Sequence, residues 1–233
     1  MTPAEAVEAV DVVIPVLDRR PTVGEAIASA LAQTWPDVRV QVVDDGSTDG
    51  TADVLDALAA DDERITVTHV PTGGVSAARN VGLANGNARL VTFLDSDDLM
   101  PPHRIERQVE HLRANPDLDG VVGTEAIVVA DGITPPPSIR AQMERTGPRW
   151  YWQSLMITRD AIEAVGGYDE DVRHGEDLDL AARLRGAGAT IGYLDEELVT
   201  RRILGDNMVM NEPGIGALLL DVIRRHQDRS GRR

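Results

Sequence analysis

Short apolar runs alternate with longer amphipathic segments along the first half of the chain. The apolar runs are rich in β-branched residues and predict strands, whereas the segments between them have helical spacing. We expect strands at 10–17, 38–43, 65–70 and 89–94, and helices at 23–33, 51–60 and 75–84. This alternation predicts an α/β fold with parallel βαβ units and helices on both faces of the sheet.

The second half of the chain has a less regular pattern. We expect helices at about 101–114, 158–165 and 176–185, and strands at 121–129, 150–157, 190–193 and 198–201. The segment before Trp150 is rich in proline and has little periodicity, so it is predicted to be a long loop. Loops of that length in compact domains are usually functional or mobile.

Composition limits the classes of protein that fit this pattern. The chain has 233 residues, of which 42% are hydrophobic, and this is enough for one α/β domain over 1–233. Its formal net charge is -16, and all 23 basic residues are arginines. An acidic surface repels phosphate backbones, so we expect no nucleic-acid partner. The absence of cysteine excludes disulfides and thiolate chemistry.

The sequence also bears on location. No apolar segment approaches the roughly 18 to 20 residues that a membrane-spanning helix needs. The N-terminal MTPAEAVEAV has no basic region followed by an apolar core. We therefore expect a soluble, cytoplasmic protein with no integral membrane segment. The basic C-terminal stretch is interpreted as the frayed end of a helix.

Acidic residues crowd the end of the fourth predicted strand. Asp95 and Asp97 form a D-x-D pair directly after the apolar run that ends at Leu94. Two carboxylates so placed can share a hard divalent cation such as Mn²⁺ or Mg²⁺. A solvated turn that caps the next helix is the alternative interpretation of these residues. The DDGS sequence after the second strand falls at the same sheet edge, where ligands of α/β proteins bind.

Four ordered segments give the sequence a specific resemblance. These are VDVVIPVLDRR, VVDDGSTDGT, GGVSAARNVGLANGNARLVTFLDSDD and GGYDEDVRHGEDLDLAARL. In sequence, order and spacing they resemble the family-two glycosyltransferases of GT-A fold, over roughly residues 10–205. The resemblance implies a Rossmann-like, mixed and mainly parallel sheet. It also implies a nucleotide-binding half at about 8–100, an acceptor and catalytic half at about 101–210, and a C-terminal helix and tail at about 211–233.

The resemblance implies a nucleotide diphosphate sugar as donor, with UDP as the expected nucleotide. Its implied nucleotide-binding residues are Pro15, Val16, Asp45, Arg79, Asp95, Ser96 and Asp97. Asp45 matches the carboxylate that accepts a hydrogen bond from uracil, and Asp97, with Asp95, matches the site of Mn²⁺ or Mg²⁺. From the local sequence alone, Asp45 equally fits a turn residue and Arg79 an ordinary helix-surface arginine.

The last segment supplies the other half of the implied reaction. Asp177 matches the general base that takes the proton of an acceptor hydroxyl in a single inverting displacement, and Glu176 matches an orienting neighbour. Both lie in the first turn of a predicted helix, where the dipole favours ionised carboxylates. A capping pair without a catalytic role is the alternative. Further candidates for sugar or acceptor contacts are Trp150, Trp152, Asp98 and Gly74.

The sequence departs from the family pattern near Leu204, where the family often has a histidine at the metal or diphosphate. Arg201, Arg202, Asp206 and Asn207 are the alternatives for that contact. The expected acceptor is a soluble glycan, peptide or natural product, and no oligomeric state is assigned. An inactive donor-binding homologue that acts as an interaction protein is the main competing hypothesis.

A metal-dependent phosphatase is a weaker alternative, since the D-x-D of such enzymes normally opens the fold and is joined by a lysine that this chain lacks. A dinucleotide-dependent oxidoreductase requires a glycine-rich loop after the first strand. The sequence IPVLDRRPTVG does not supply one.

Overall fold

The structure, a computed structural model, describes residues 8–145, 150–205, 207 and 225. Within these ranges the strands are β1 (Val10–Val16), β2 (Val38–Asp44), β3 (Ile65–His69), β4 (Leu90–Phe93), β5 (Gly120–Val129), β6 (Tyr151–Thr158) and β7 (Ile191–Ile203). The helices are α1 (Val23–Leu31), α2 (Thr51–Asp61), α3 (Val75–Asn85), α4 (Arg104–Ala114), α5 (Pro137–Glu144), α6 (Arg159–Ala164) and α7 (Glu176–Gly186).

The strands form one mixed sheet in the order β3-β2-β1-β4-β6-β5-β7. β1 lies at the centre of the parallel part, where Val10 pairs with Val38 of β2 and with Leu90 of β4. The pairs β2–β3 and β5–β7 are also parallel, whereas β6 runs antiparallel to both of its neighbours. The expected α/β fold with a mixed, mainly parallel sheet is confirmed.

Side chains that alternate along the strands pack into two hydrophobic cores. In β1, Val12 and Ile14 pack into one core with residues of α1, α2 and α4. Val13 points the other way and packs into a second core with residues of α3, α6 and α7. Successive residues of a strand face opposite sides of the sheet, so this alternation produces helices on both faces.

The directions of the strands determine which elements meet at the edge of the sheet that carries the predicted site residues. β1, β2 and β4 are parallel, so their carboxyl ends lie at one edge of the sheet. Because β6 is antiparallel to β4, its first residue, Tyr151, lies toward that same edge. A further pairing between Leu99 and Thr200 brings the last part of β7 beside the loop that follows β4.

The structure corrects two expectations. Part of the predicted proline-rich loop is the helix α5, which has proline at its start, where the missing N–H costs nothing, and which is anchored by the fully buried Ile139. The two strands predicted near 190–193 and 198–201 are one continuous strand, β7. Its exposed acidic middle imitates a break in the sequence, and its pairing with β5 shifts register there.

Two other expectations concern the C-terminal segment and the absence of a membrane-spanning helix. The predicted C-terminal helix and tail at about 211–233 lie outside the described ranges, apart from residue 225. Within the ranges, no helix combines the length and apolar character that crossing a bilayer requires.

Candidate functional site

A cleft of about 590 Å³ opens at the carboxyl edge of the parallel strands. Its walls come from the ends of β1 and β4, the loop after β2, and the first turns of α3 and α7. The sequence-predicted residues that line it are Pro15, Val16, Asp45, Gly74, Arg79, Asp95, Ser96, Asp97, Asp98, Glu176, Arg201 and Asn207. The fold therefore gathers twelve candidates from separate parts of the sequence into one cavity.

Arg79, on α3, forms ion pairs with carboxylates from two distant parts of the chain, the loop after β4 and the start of α7. Its side chain is 2% exposed, and its Nη2 lies 2.9 Å from Oδ1 of Asp95. Its Nη1 lies 3.1 Å from Oε1 of Glu176 and 3.4 Å from Oδ1 of Asp177. Burial works to lower the pKa of Arg79, but the surrounding carboxylates outweigh it and raise that pKa. Arg79 is therefore a permanent buried cation and not a helix-surface residue.

Asp177, at the start of α7, is not among the residues that line the cleft, but it contacts Arg79, which does line it. Its side chain is 13% exposed, and the hydroxyl of Tyr168 donates to its Oδ1 over 3.4 Å. Burial raises the pKa of Asp177 to about 7, although Arg79 pulls it down. The expected preference for the ionised form at this helix terminus is thus overcome by burial.

The D-x-D sequence follows β4 into the floor of the cleft. Asp97 Oδ2 accepts a hydrogen bond from Nδ2 of Asn207 at 2.9 Å and lies 3.5 Å from Nε of Arg19. Burial, followed by repulsion from Asp95, raises the pKa of Asp97 above its usual value. The carboxylates that crowd the strand end therefore repel one another, and this favours binding of a cation.

Asp98 has a different environment from its neighbours. It is 3% exposed, and its Oδ1 accepts the backbone N–H of Arg202 at 2.8 Å. The guanidinium of Arg202 in turn donates to the backbone oxygen of Asp97. Burial, together with Asp95 and Asp97, raises the pKa of Asp98 well above its usual value. In this arrangement Asp98 connects β7 to the D-x-D turn.

Asp45 fixes the loop that precedes α3. Its two carboxylate oxygens accept the backbone N–H groups of Gly73, at 2.7 Å, and Gly74, at 2.9 Å. Gly74 has a φ of 98°, in the region that favours glycine, and is the N-cap of α3. The loop therefore depends on both residues, and Asp45 still faces the cleft.

The two tryptophans lie apart from the cleft lining. Trp150 is 49% exposed and stacks on Tyr193 of β7, with ring centroids 5.7 Å apart. The ring centroids of Trp152 and Trp150 are 6.4 Å apart, and Trp152 packs against the core that includes residues of α7. These residues form an aromatic patch beside the start of β6, where Gln153 does line the cleft.

Sequence reasoning missed several residues of the site. Arg19 and Tyr168 lie inside the motifs that carry the resemblance, so the signal for them was present. Asn80, next to Arg79, exchanges hydrogen bonds with the backbone of Tyr168. Asn207 was only one of several alternatives, and its contact with Asp97 depends on a turn that the sequence does not reveal. Asp206 lies outside the described residues.

Comparison with known proteins supports a family assignment. The model of glycosyl transferase family 2 matches residues 11–161. The chain is 28% identical over 210 residues to the uncharacterized glycosyltransferase EpsJ of Bacillus subtilis, covering 83% of this chain and 60% of that protein. It is 26% identical over 212 residues to a hyaluronan synthase of Pasteurella multocida, covering 88% of this chain and 22% of the synthase.

Solved structures agree on the fold. TarS of S. aureus superposes with a TM-score of 0.67 and 19% identity, covering 84% of this chain and 60% of the TarS chain. A mannosyltransferase of Pyrobaculum calidifontis gives a TM-score of 0.69 and 21% identity, covering 86% of this chain and 58% of the other. The chain thus spans less than two thirds of each of these four proteins.

The sequence resemblance and the GT-A fold that it implied are both confirmed. The family model covers most of the chain, from β1 into α6, and includes the residues of the D-x-D turn. The chain belongs to glycosyl transferase family 2.

Proposed function

We propose that this chain is an inverting glycosyltransferase that moves a sugar from a nucleotide diphosphate sugar to an acceptor hydroxyl. One observation carries the proposal: a largely buried carboxylate with a pKa of about 7, Asp177, is joined through Arg79 to Asp95 in the cleft. A general base works best when its pKa lies near the working pH. The same arrangement joins a base to the cavity in which a donor would bind.

The donor is proposed to be UDP-linked. TarS has been solved with UDP and with UDP-GlcNAc, and the Pyrobaculum mannosyltransferase with GDP-Man and Mn²⁺. A cleft of about 590 Å³ is large enough for a ligand of this class. Pro15, Val16 and Asp45 line the end proposed for the nucleoside. Each carboxylate oxygen of Asp45 has a second lone pair that can accept a hydrogen bond from uracil.

A divalent cation is part of the proposal. The carboxylates of the D-x-D turn suit a cation that takes its remaining ligands from the substrate. Within the described ranges, no group of three or more acidic or histidine side chains forms a metal cage. Mg²⁺ usually binds through one or two carboxylates plus substrate phosphates and water, which Asp97 and Asp95 can supply. When bound, Mn²⁺ or Mg²⁺ would neutralise charge on the diphosphate as it leaves. Asn207 and Arg19 hold the Asp97 carboxylate in position.

The proposed step is a single displacement. Asp177 in its ionised form accepts the proton of the acceptor hydroxyl while that oxygen bonds to the anomeric carbon. The bond from this carbon to the nucleotide diphosphate breaks on the opposite side, and the diphosphate leaves with the electron pair. The sugar configuration is therefore inverted. Glu176, paired with the same guanidinium, helps to orient the base.

The acceptor is proposed to approach from the side of the aromatic patch. Trp150 presents an exposed ring, and Trp152 and Tyr193 extend the aromatic surface beside it. Aromatic faces pack well against the apolar C–H groups on one face of a sugar ring. A soluble glycan, peptide or natural product remains the proposed acceptor class.

Replacement of Asp97 tests the metal-dependent donor site. Asp97→Asn keeps the side-chain shape but removes the charge, so Mn²⁺-dependent UDP affinity should fall on the order of tenfold or more. Calorimetric titration of UDP with Mn²⁺, and again with EDTA, measures the effect. Asp117→Asn makes the same charge change at an exposed position before β5, away from the cleft, and should bind UDP normally. Equal affinities for wild type and Asp97→Asn would remove Asp97 from the site.

Replacement of Asp177 separates a transferase from an inactive donor-binding homologue. Asp177→Asn cannot accept the hydroxyl proton, so transfer should fall by a factor on the order of 10² to 10⁴ while UDP affinity is retained. Turnover of a panel of UDP- and GDP-sugars, with calorimetry of the same variant, gives both quantities. Near-normal transfer by the variant, or a product that retains the donor configuration, would contradict the mechanism. A wild type that binds UDP but turns over no donor would favour the inactive homologue.

The titration of Asp177 can be measured without substrate. Its carboxyl should titrate with a pKa of about 7, because burial disfavours the charged form. As pH falls through that value the base becomes protonated, so transfer should decline on the acid side. The protonated form favours folding, and its stabilising effect is lost as pH rises through about 7. Carboxyl ¹³C NMR should show a signal titrating near neutrality that is missing in Asp177→Asn; its absence in wild type would refute this environment.

A further inference from the structure

Arg79 contacts residues that are far apart in the chain. Asp95 is 16 residues away, whereas Glu176 and Asp177 are 97 and 98 residues away. Asp95 lies on the proposed donor side of the cleft and Asp177 is the proposed base. One guanidinium is therefore the direct link between the two functional halves of the site.

Tyr168 completes the surroundings of this cation. The Arg79 guanidinium lies over the Tyr168 ring at 5.0 Å, and the Tyr168 hydroxyl donates to the same Asp177 oxygen that Arg79 contacts. Asn80 holds the backbone of Tyr168 through two hydrogen bonds, of 2.9 and 2.8 Å. We call Arg79, Asp95, Tyr168, Glu176 and Asp177 the Arg79 cluster.

The two terminal nitrogens of the Arg79 guanidinium already have hydrogen-bond partners within the protein. Nη1 and Nη2 both donate to carboxylates, and Nε is buried without a hydrogen-bond partner. A side chain that is 2% exposed and surrounded by three carboxylates is poorly placed to bind a diphosphate. This contrasts with Arg19, whose side chain is 20% exposed beside Asp97.

Building on the proposed function, we propose that Arg79 is a positioning residue, which with Tyr168 holds the base Asp177 at a fixed place relative to donor-side Asp95. Its role is not to bind the nucleotide. The planar guanidinium has two nitrogens that point to different carboxylates at once, whereas a lysine ammonium is a single point on a flexible stem. Misplacing a reacting group by about 1 Å costs on the order of 10²-fold in rate.

The variant Arg79→Lys tests this role. UDP affinity in the presence of Mn²⁺ should stay within about threefold of wild type, while kcat for the UDP-sugar that wild type turns over should fall on the order of 10²-fold. Asp177 should also titrate at a higher pH in the ¹³C spectrum, because its nearest cation is less well placed. A loss of UDP affinity as large as the loss of kcat would assign Arg79 to the nucleotide and overturn the proposal, as would an unchanged kcat.

Two further variants provide a second test of the positioning role and a matched control. Tyr168→Phe keeps the ring over Arg79 but removes the hydroxyl, so kcat should fall by about three- to tenfold with unchanged UDP affinity. This variant decides the question if Arg79→Lys does not fold, and an unchanged kcat would then overturn the proposal. Arg159→Lys is the matched control, since Arg159 pairs with the buried Asp11 near the opposite edge of the sheet and should alter neither quantity.

The proposed function and the positioning role fail in different ways. A wild type that turns over no UDP-sugar contradicts the transferase, whatever the variants do. In that case the ¹³C titration of Asp177 still decides the positioning role. A higher pKa of Asp177 in Arg79→Lys supports it, and an identical titration in both proteins overturns it.

Discussion

The site depends on one buried guanidinium surrounded by carboxylates. Arg79 lies among Asp95, Glu176 and Asp177, in a chain with a formal net charge of -16. Like charges this close repel strongly in a low-dielectric interior, so the arrangement persists only because a cation that cannot lose its proton lies between them. The ion pairs join the loop after β4 to the start of α7. They make the proposed donor and base sites parts of one electrostatic unit.

The balance between burial and nearby charges explains why Asp177 and Asp97 differ in their chemistry. Asp177, in the first turn of α7, is largely buried beside Tyr168, so desolvation raises its pKa to about 7 despite its ion pair with Arg79. Asp97 lies in the cleft with Arg19 and Asn207 as its polar partners. A carboxylate that is partly desolvated and repelled by Asp95 gains from a divalent cation, and a diphosphate gains from it as well. Burial thus suits Asp177 to the proposed proton transfer and Asp97 to the proposed metal binding.

Much of this arrangement could be predicted from the sequence because strand ends are local signals. The alternation of apolar runs gave β1 to β4, and parallel strands bring their carboxyl ends together, so Asp45 and Asp95 were correctly expected at one edge. The contacts of Arg79 were not predictable, since they join residues 97 and 98 positions apart. Helix α5 was missed because prolines mask its short periodic part, and the burial of Asp177 depends on how α7 packs.

A crystal structure of this chain grown with UDP and Mn²⁺ would test the proposed site as a whole. We expect uracil beside Asp45, the diphosphate at Asp97 with the metal between them, and Arg79 still paired with Asp95 and Asp177. Nucleotide bound outside the cleft, or a diphosphate held directly by Arg79 with its carboxylate pairs broken, would contradict the proposed site.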